Sequence, residues 1–248
     1  MSDDLVSLRL LVVAAAGPDQ ELWRQAAASA SVLIDFEAHD PASAAGALGK
    51  HGADVCVLDG ALSDTNKNGI ITAARAAEPA PLVFVAAPRG TSRPANIDGM
   101  LPKPTSGDQA RKLVDICVRA TMPTRVLVVD DSATVRDIVR KIMSASRFPL
   151  DVHESSDGMA ALEHLRGGNF GLVFLDHNMP GKSGLDILAD MQREFANVAV
   201  VMMCTTAEKA IAGRAQSLGA LGCLKKPFYP ADVDAMLERF LGMDVPRS

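Results

Sequence analysis

The chain has 248 residues, of which 48% are apolar and 22% charged, and its formal net charge is −5. This length fits one large domain or two small ones, and the mild acidity excludes nucleic acid as a main partner, because phosphate contacts need concentrated Lys and Arg. No apolar run approaches the roughly 20 residues of a membrane span, and the acidic start Met1–Asp4 is unlike a secretory leader. The four cysteines lack metal-type pairing. We expect a soluble, cytoplasmic protein.

Apolar periodicity predicts alternating strands and helices along the whole chain. In the first half the strands are predicted at 8–16, 32–38, 54–59, 82–87 and 100–101, with helices at 20–31, 41–50, 69–77 and 107–121. In the second half the strands are predicted at 125–130, 150–154, 172–176, 198–204 and 220–224, with helices at 132–146, 158–165, 183–195, 207–219 and 230–241.

Three segments of the first half recur in the second. LLVVAAA (10–16) matches VLVVDDS (126–132), DVCVLDG (54–60) matches GLVFLDH (171–177), and LPKP (101–104) matches LKKP (224–227). The offset of 116, 117 and then 123 residues places a few extra residues between the third and fifth strands of the second copy. The repeat predicts an α/β fold with two tandem (βα)5 doubly wound parallel-sheet domains of the flavodoxin-like type, at 1–121 and 122–248.

Polar residues collect at the predicted carboxyl ends of the second copy's strands, where open parallel sheets bind ligands. Asp130 and Asp131 end the first strand, Asp176 the third, Thr206 follows the fourth, and Lys226 follows the fifth. Clustered carboxylates repel one another, and hard oxygen ligands that leave room for water favour Mg²⁺. A cation, a hydroxyl and an ammonium around one Asp suit phosphoryl transfer to a carboxylate nucleophile.

Each of these residues also has a simpler interpretation when taken alone. Asp131 or Ser132 could cap the following helix, and Thr206 the helix after the fourth strand. Lys226 alone would be a solvated lysine, His177 a residue of the rim, and the cysteines small buried hydrophobes. A haloacid-dehalogenase-type phosphatase would need two aspartates at i and i+2 on the first strand, and a nucleotide-binding Rossmann domain would need a Gly-rich first turn. Neither pattern is present.

Four segments in the right order and spacing carry a resemblance to a known family: LVVDDSATVRDIVRKIM (127–143), FLDHNMPGKSGLDIL (174–188), MMCTTAEKA (202–210) and GALGCLKKPF (219–228). They resemble response-regulator receiver domains of two-component signalling, most closely the chemotaxis CheY type, and the resemblance covers Arg125 to about Met243.

The resemblance implies a role for each matching residue. Asp176 matches the phosphoacceptor, and the Mg²⁺ ligands would be Asp130, Asp131, Asp176 and the Asn178 carbonyl. The phosphoryl-binding and switch positions match Thr206, Ala207 and Lys226, the last in a cis Lys226–Pro227 peptide. Asn178 and Glu208 stand at positions that tune hydrolysis, and their identities imply a short-lived phosphoryl group. Cys223 replaces the aromatic residue that the family often uses as a switch.

The first half resembles a degenerate receiver. The acidic pair becomes Ala14 and Ala15, whereas Asp59 and Lys103 keep the acceptor and lysine positions. The hydroxyl position becomes Ala86 or Ala87, and the Pro-rich segment 88–99 predicts that the family's fourth helix is short or absent. Mg²⁺ binding and phosphorylation should therefore fail, and Asp59 and Lys103 are expected to form a structural ion pair.

The function implied is that of a response regulator without an output domain, and not of an enzyme beyond self-phosphorylation from a donor and autodephosphorylation. A sensor histidine kinase or phosphotransfer protein would phosphorylate Asp176 with Mg²⁺, and the change would alter binding to an unknown downstream protein. A homodimer is left open. The alternatives are a phosphate sink or phosphorelay intermediate, a constitutive scaffold, and the regulatory fragment of a longer enzyme such as a diguanylate cyclase.

Overall fold

The computed structural model describes residues 7–15, 17–205 and 209–243. These residues form two compact units, one made of residues 7–121 with 241–243 and the other of Met122–Phe240. The last three described residues thus group with the first unit, although the sequence assigned them to the second domain. The outer limits of the two predicted domains, at 1 and 248, lie outside the described residues.

The first unit contains five strands and four helices among its described residues. In chain order they are β1 (Leu8–Val13), α1 (Pro18–Ala28), β2 (Ile34–His39), α2 (Pro41–His51), β3 (Val55–Asp59), α3 (Asp64–Ala76), β4 (Leu82–Ala87), β5 (Gly99–Pro102) and α4 (Gly107–Thr121). Residues 88–98 form no helix, which confirms that the family's fourth helix is missing from this unit.

The second unit has the full alternation of strands and helices. Its elements are β6 (Thr124–Val129), α5 (Ala133–Met143), β7 (Leu150–Ser155), α6 (Gly158–Gly167), β8 (Leu172–Asp176), α7 (Gly184–Glu194), β9 (Ala199–Cys204), α8 (Lys209–Ser217), β10 (Gly222–Lys225) and α9 (Pro230–Leu241).

Both sheets are entirely parallel and have the same strand order. The first is β2-β1-β3-β4-β5, and the second is β7-β6-β8-β9-β10. In each, the chain begins on an inner strand, moves to one edge and then crosses to the other side, which is the order of flavodoxin-like folds. This confirms the predicted fold class, and it brings the carboxyl ends of the three central strands together at one edge of each sheet.

The predicted bounds of four elements agree with the structure residue for residue, whereas β1 ends at Val13 and not at the predicted residue 16. The bounds of β4, β8, α4 and α9 are those predicted. Helix α3 begins at Asp64 rather than at the predicted residue 69, because Ser63 caps it by accepting a hydrogen bond from the Asn66 amide. Its polar first turn adds nothing to the apolar periodicity, so the sequence pattern missed it.

Each sheet is covered by an aliphatic core of its own. In the second unit this core includes Val129 and Leu175, from the two strands that carry the acidic residues, both with no exposed surface. Met202 and Met203 are equally buried in β9, so the interpretation of this pair as core strand is confirmed. Among the described helices, none combines the length and apolarity needed to cross a membrane.

Candidate functional site

Three carboxylates meet at the carboxyl edge of the second sheet. Asp130 and Asp131 follow β6, and Asp176 ends the neighbouring β8; one oxygen from each lies within 4.8 Å of the others. Asp130 and Asp176 are 2% and 3% exposed, whereas Asp131 is exposed to solvent. The structure therefore brings together the three aspartates that the sequence singled out, two of them buried and the third open to incoming ligands.

Lys226 supplies the positive charge of this cluster. Its Nζ donates hydrogen bonds to Asp130 Oδ2 at 2.5 Å and to Asp176 Oδ1 at 2.8 Å. Burial opposes the charge of the ammonium, but its bonds to the two carboxylates outweigh burial and raise the pKa of Lys226. Burial has the opposite effect on the carboxyl group: it raises the pKa of Asp176, and the Lys226 ammonium opposes this rise. Taken alone, Lys226 could have been a solvated lysine, but the structure contradicts that interpretation.

The backbone around the acidic pair is fixed by short-range hydrogen bonds. Ser132 caps α5 by accepting from the Val135 amide, as one of the simpler interpretations expected, and its own amide donates to Asp130 Oδ1 at 2.9 Å. Arg136, one turn into α5, donates to the Asp130 carbonyl at 2.8 Å and pairs with Glu154. No motif in the sequence marked this arginine, although it lies on the first turn of the helix after the acidic pair.

The loop after Asp176 packs back against the acceptor. Gly184 donates from its amide to the His177 carbonyl, and a Cβ at Gly184 would lie 2.2 Å from the Asp176 carbonyl oxygen. Only glycine therefore fits at residue 184, at the end of the segment DHNMPGKSG (176–184). His177 is half-buried, and among the described residues its Nδ1 is a buried nitrogen without a hydrogen-bond partner.

Asn178 is hydrogen-bonded both to Asp176 at the end of β8 and to Thr205 after β9. Its amide donates to Asp176 Oδ2 at 3.1 Å, and its side-chain Nδ2 donates to Thr205 Oγ1 at 3.0 Å. The predicted switch residues Thr206 and Ala207 lie outside the described residues, as does Glu208, which is predicted to tune hydrolysis. Thr205 is the last described residue before them.

The remaining predicted features of the second site are also located. The Lys226–Pro227 peptide is cis, as predicted. Cys223 is half-buried on β10 and packs against the core that contains Cys204. Cys56, Cys117 and Cys204 are buried free thiols, which confirms their interpretation as small core residues.

The first unit places Ala14, Ala15, Asp59 and Lys103 at the equivalent positions. Val13 pairs with Leu58 just as Val129 pairs with Leu175, so that Ala14 and Ala15 correspond to the acidic pair and Asp59 to Asp176.

The predicted ion pair of this unit is present, and it has a second carboxylate. Lys103 Nζ lies 3.1 Å from Asp59 Oδ2 and 2.8 Å from Asp19 Oδ2. Asp19 lies in the first turn of α1, and no motif in the sequence marked it. The hydrogen bonds that Lys103 donates to Asp19 and to Asp59 raise the pKa of the lysine, although its partial burial opposes the shift.

One sequence-based equivalence is wrong. The Lys226 amide donates to the Cys204 carbonyl, and the Lys103 amide donates to the Ala87 carbonyl. Ala87 therefore corresponds to Cys204, and the position equivalent to Thr206 is Arg89 rather than Ala86 or Ala87. The fourth strands are related by the same 117-residue offset as the third, since Asp59 pairs with Ala86 and Asp176 with Met203.

This fold and this arrangement of three aspartates and a lysine define a receiver module of two-component signalling. The model of the response regulator receiver domain matches residues 126–238. Chemotaxis protein CheY-3 of Vibrio cholerae serotype O1 is 32% identical over 117 residues, which are 46% of this chain and 89% of that protein. The transcriptional regulatory protein FixJ of Bradyrhizobium diazoefficiens is 30% identical over 118 residues, 48% of this chain and 57% of that protein. The chain belongs to the response regulator receiver family.

A solved structure covers both units. The structure of a probable two-component system response regulator/GGDEF domain protein aligns with 95% of this chain and 98% of its own, with a TM-score of 0.54 and 20% identity. At that identity the likeness shows the fold alone. It supports two tandem units of this fold, of which the second carries the match to the receiver family.

The donor set of the second unit suits a divalent cation. Receiver domains generally bind Mg²⁺ at an acidic pocket, and the three aspartates form such a cluster. Among the described residues of the cluster, three carboxylates face the single ammonium of Lys226, which leaves an excess of negative charge that a hard dication would neutralise. In the first unit Ala14 and Ala15 offer methyl groups instead, and both carboxylates near the site are bonded to Lys103.

Proposed function

We propose that the chain is a phosphorylation-dependent response regulator in which Asp176 of the second unit accepts a phosphoryl group from a histidine kinase or phosphotransfer protein. The observation that carries the proposal is the placement of the Lys226 ammonium, 2.5 Å from Asp130 and 2.8 Å from Asp176, beside the exposed carboxylate of Asp131. This arrangement combines a buried nucleophile, a lysine ammonium held beside it and carboxylates that can bind a metal, which is the combination that a receiver needs.

Each residue has a distinct part in the proposed reaction. An oxygen of Asp176 attacks the phosphorus atom, and the bond to the donor breaks. Lys226 holds the Asp176 carboxylate and then pairs with a phosphoryl oxygen. Asp130, Asp131, Asp176 and the Asn178 carbonyl would hold Mg²⁺, which supplies positive charge to the transferring group. Thr206 is the proposed switch hydroxyl, and Ala207 and Glu208 would flank the phosphoryl group.

Intact mass after treatment with acetyl phosphate and Mg²⁺ tests this proposal. The wild type should gain the mass of one phosphoryl group, and Asp176→Asn should gain none. The matched control is Asp59→Asn, which should still gain one group because the first unit lacks the acidic pair. No gain on the wild type, or a gain that persists in Asp176→Asn, would refute the proposal.

Removal of the cation gives a second test of the same site. EDTA should abolish the mass gain of the wild type. Asp131→Asn should weaken Mg²⁺ binding by about tenfold or more, since loss of even an outer-shell partner of a metal ligand weakens binding about ten- to a hundredfold. Asp137→Asn, on the exposed face of α5 and bonded to Arg140 and Lys141, is the matched control and should bind Mg²⁺ as the wild type does.

Binding partners would separate the proposed adaptor from a phosphate sink. A protein that binds only when beryllofluoride is present, and that is not a kinase or phosphotransfer protein, would support the adaptor. A chain that exchanges phosphoryl groups but gains no such partner would be a sink or relay intermediate. We propose a cytoplasmic location, where a kinase and its phosphodonor would meet this site.

A further inference from the structure

A side-chain hydrogen bond continues the pairing of β8 and β9 beyond the ends of both strands. The last paired residues are Asp176 and Met203, and the His177 amide still donates to the Met203 carbonyl. Two residues further on, Asn178 Nδ2 donates to Thr205 Oγ1 at 3.0 Å. This bond, which we call the loop clasp, joins the loop after the acceptor to the residue that precedes the predicted switch threonine.

The degenerate first unit lacks the loop clasp. Ala61 occupies the position of Asn178, and its amide donates to Asp59 Oδ1 at 2.9 Å, just as the Asn178 amide donates to Asp176. Pro88 occupies the position of Thr205, because Ala87 corresponds to Cys204. The backbone geometry is thus shared by both units, whereas the side chains that form the clasp occur only where the acidic pair is intact.

The clasp fixes the direction of the Asn178 carboxamide. Because the carboxamide group is planar, binding Nδ2 to Thr205 sets where Oδ1 points. Among the described residues Oδ1 has no hydrogen bond of its own, so it can still accept one from water. The backbone amide of Asn178 donates to Asp176 Oδ2, so Asn178 Oδ1 is held on the loop directly beside the proposed phosphoryl group.

We propose that Thr205 is a positioning residue for loss of the phosphoryl group: it holds Asn178 so that Oδ1 orients the attacking water. The inference rests on the proposed function, since it needs a phosphoryl group on Asp176. The water oxygen bonds to phosphorus, and the bond between phosphorus and the Asp176 oxygen breaks, with its electron pair returning to the carboxylate. One water proton stays on the hydrogen phosphate product, and the other is released to solvent.

The test is the first-order rate at which the phosphorylated protein loses its mass gain once acetyl phosphate has been removed, with Mg²⁺ present. Thr205→Val keeps the shape of the side chain without the hydroxyl and should slow this loss about three- to tenfold, the range for one lost neutral hydrogen bond. Thr205→Ser should restore the wild-type rate. Asn178→Ala should also slow the loss, and the double variant should lose phosphate no more slowly than Asn178→Ala alone.

Two controls separate positioning from a structural role. The rate of phosphorylation by acetyl phosphate and the melting temperature of Thr205→Val should stay at wild-type values. Thr91→Val, whose hydroxyl bonds to the Pro88 carbonyl in an exposed loop of the first unit, should change nothing.

Three results would overturn the inference. The first is a wild-type rate of phosphate loss in Thr205→Val, and the second is a double variant in which the two slowing effects multiply. The third is a fall in the phosphorylation rate and in the melting temperature of Thr205→Val alongside the slower phosphate loss. If the wild type acquires no phosphoryl group, the proposed function itself has failed, and the inference fails with it. Failure of the inference alone would leave phosphorylation of Asp176 intact, so the two failures are distinguishable.

Discussion

The Lys103 ammonium lies 3.1 Å from Asp59 in the first unit, which is the pairing that Lys226 makes with Asp176 at 2.8 Å in the second. Each lysine also has a second carboxylate, but from a different place. Asp130 of the acidic pair serves Lys226, whereas Asp19 from α1 serves Lys103. The first unit therefore has the lysine pair without the acidic pair, and a carboxylate from another element balances the lysine.

Replacing Lys103 should destabilise the first unit, because it leaves two neighbouring carboxylates without their cation. Lys103→Met is expected to lower the free energy of unfolding by about 1–2 kcal/mol, between the values for exposed and buried pairs. Trp23, the single tryptophan, is 3% exposed in this unit, so its fluorescence during urea unfolding reports the change. Lys112→Met, on the exposed face of α4, is the control and should unfold as the wild type does. An unchanged midpoint in Lys103→Met would show that the pair contributes nothing.

Replacing Lys226 should have a larger effect, and one that depends on the cation. Without divalent metal, Lys226→Met leaves the buried Asp130 and Asp176 without a counter-charge, which should cost about 3 kcal/mol. Mg²⁺ should recover part of this loss and bind more tightly than in the wild type, because the metal no longer competes with an ammonium. Hydrogen exchange of the β6 and β8 amides, with EDTA and with Mg²⁺, measures both effects.

Lys225→Met is the matched control for that experiment. Lys225 precedes Lys226 in the chain but is exposed, so its loss should leave exchange in β6 and β8 unchanged. Equal protection of Lys226→Met in EDTA and in Mg²⁺ would contradict the assignment of these carboxylates to a metal site.

The fold and most of the second site could be predicted because both depend on local patterns. Apolar runs with polar ends located the strands, and strand ends in a parallel sheet bring Asp130, Asp176 and Lys226 together whatever the loops do. The repeat offset transferred the same logic to Ala14 and Asp59. These are properties of the backbone order, and a sequence pattern records them directly.

What the sequence did not reveal depends on side chains from outside the repeated segments. Asp19 reaches Lys103 from the first turn of a helix, where an acidic residue ordinarily indicates only a favourable helix terminus. The bond between Asn178 and Thr205 joins two loops 27 positions apart. No spacing rule marks such a pair, because it depends on how far both loops extend past their strands. The consecutive threonines after Cys204 were the only visible signal.

The buried carboxylate of Asp176 should lower the free energy of unfolding of the second unit at neutral pH. Burial raises the pKa of Asp176, so the native state binds the proton of this carboxyl more tightly than the unfolded chain does. The ionised form therefore costs stability at neutral pH, and the cost disappears as the pH falls below the ordinary value of 3.8. Asp176→Asn removes the charge while keeping a group that accepts from Lys226.

We expect Asp176→Asn to raise the free energy of unfolding at neutral pH in EDTA, because the variant has no ionised carboxylate to bury. The difference in the free energy of unfolding between this variant and the wild type should shrink as the pH is lowered and vanish below 3.8. Urea unfolding at a series of pH values measures this. Asp59→Asn should show no such gain, because it removes a charged partner of Lys103. A destabilised Asp176→Asn variant at neutral pH would contradict the prediction.

The four cysteines should differ sharply in reactivity, and Cys223 should react first. A hydrogen bond from the Cys204 thiol lowers the pKa of Cys223, although burial opposes the shift, and the same bond together with burial raises the pKa of Cys204. Burial raises the pKa of Cys56 and of Cys117 to about 12. Because the thiolate is the nucleophile, iodoacetamide at neutral pH should label the half-buried Cys223 well before the other three.

Peptide mass mapping over a time course of alkylation measures the order of labelling. Cys223→Ser should remove the fast phase, and Cys204→Ala should slow labelling of Cys223, because the donor that stabilises its thiolate is gone. Labelling of Cys56 or Cys117 at the same rate as Cys223 would contradict the prediction. The sequence predicts that Cys223 stands where the family often has its aromatic switch residue, and alkylation would place a bulky group there on β10. The phosphorylation assay on alkylated protein therefore tests whether an alkyl group on Cys223 prevents phosphorylation of Asp176.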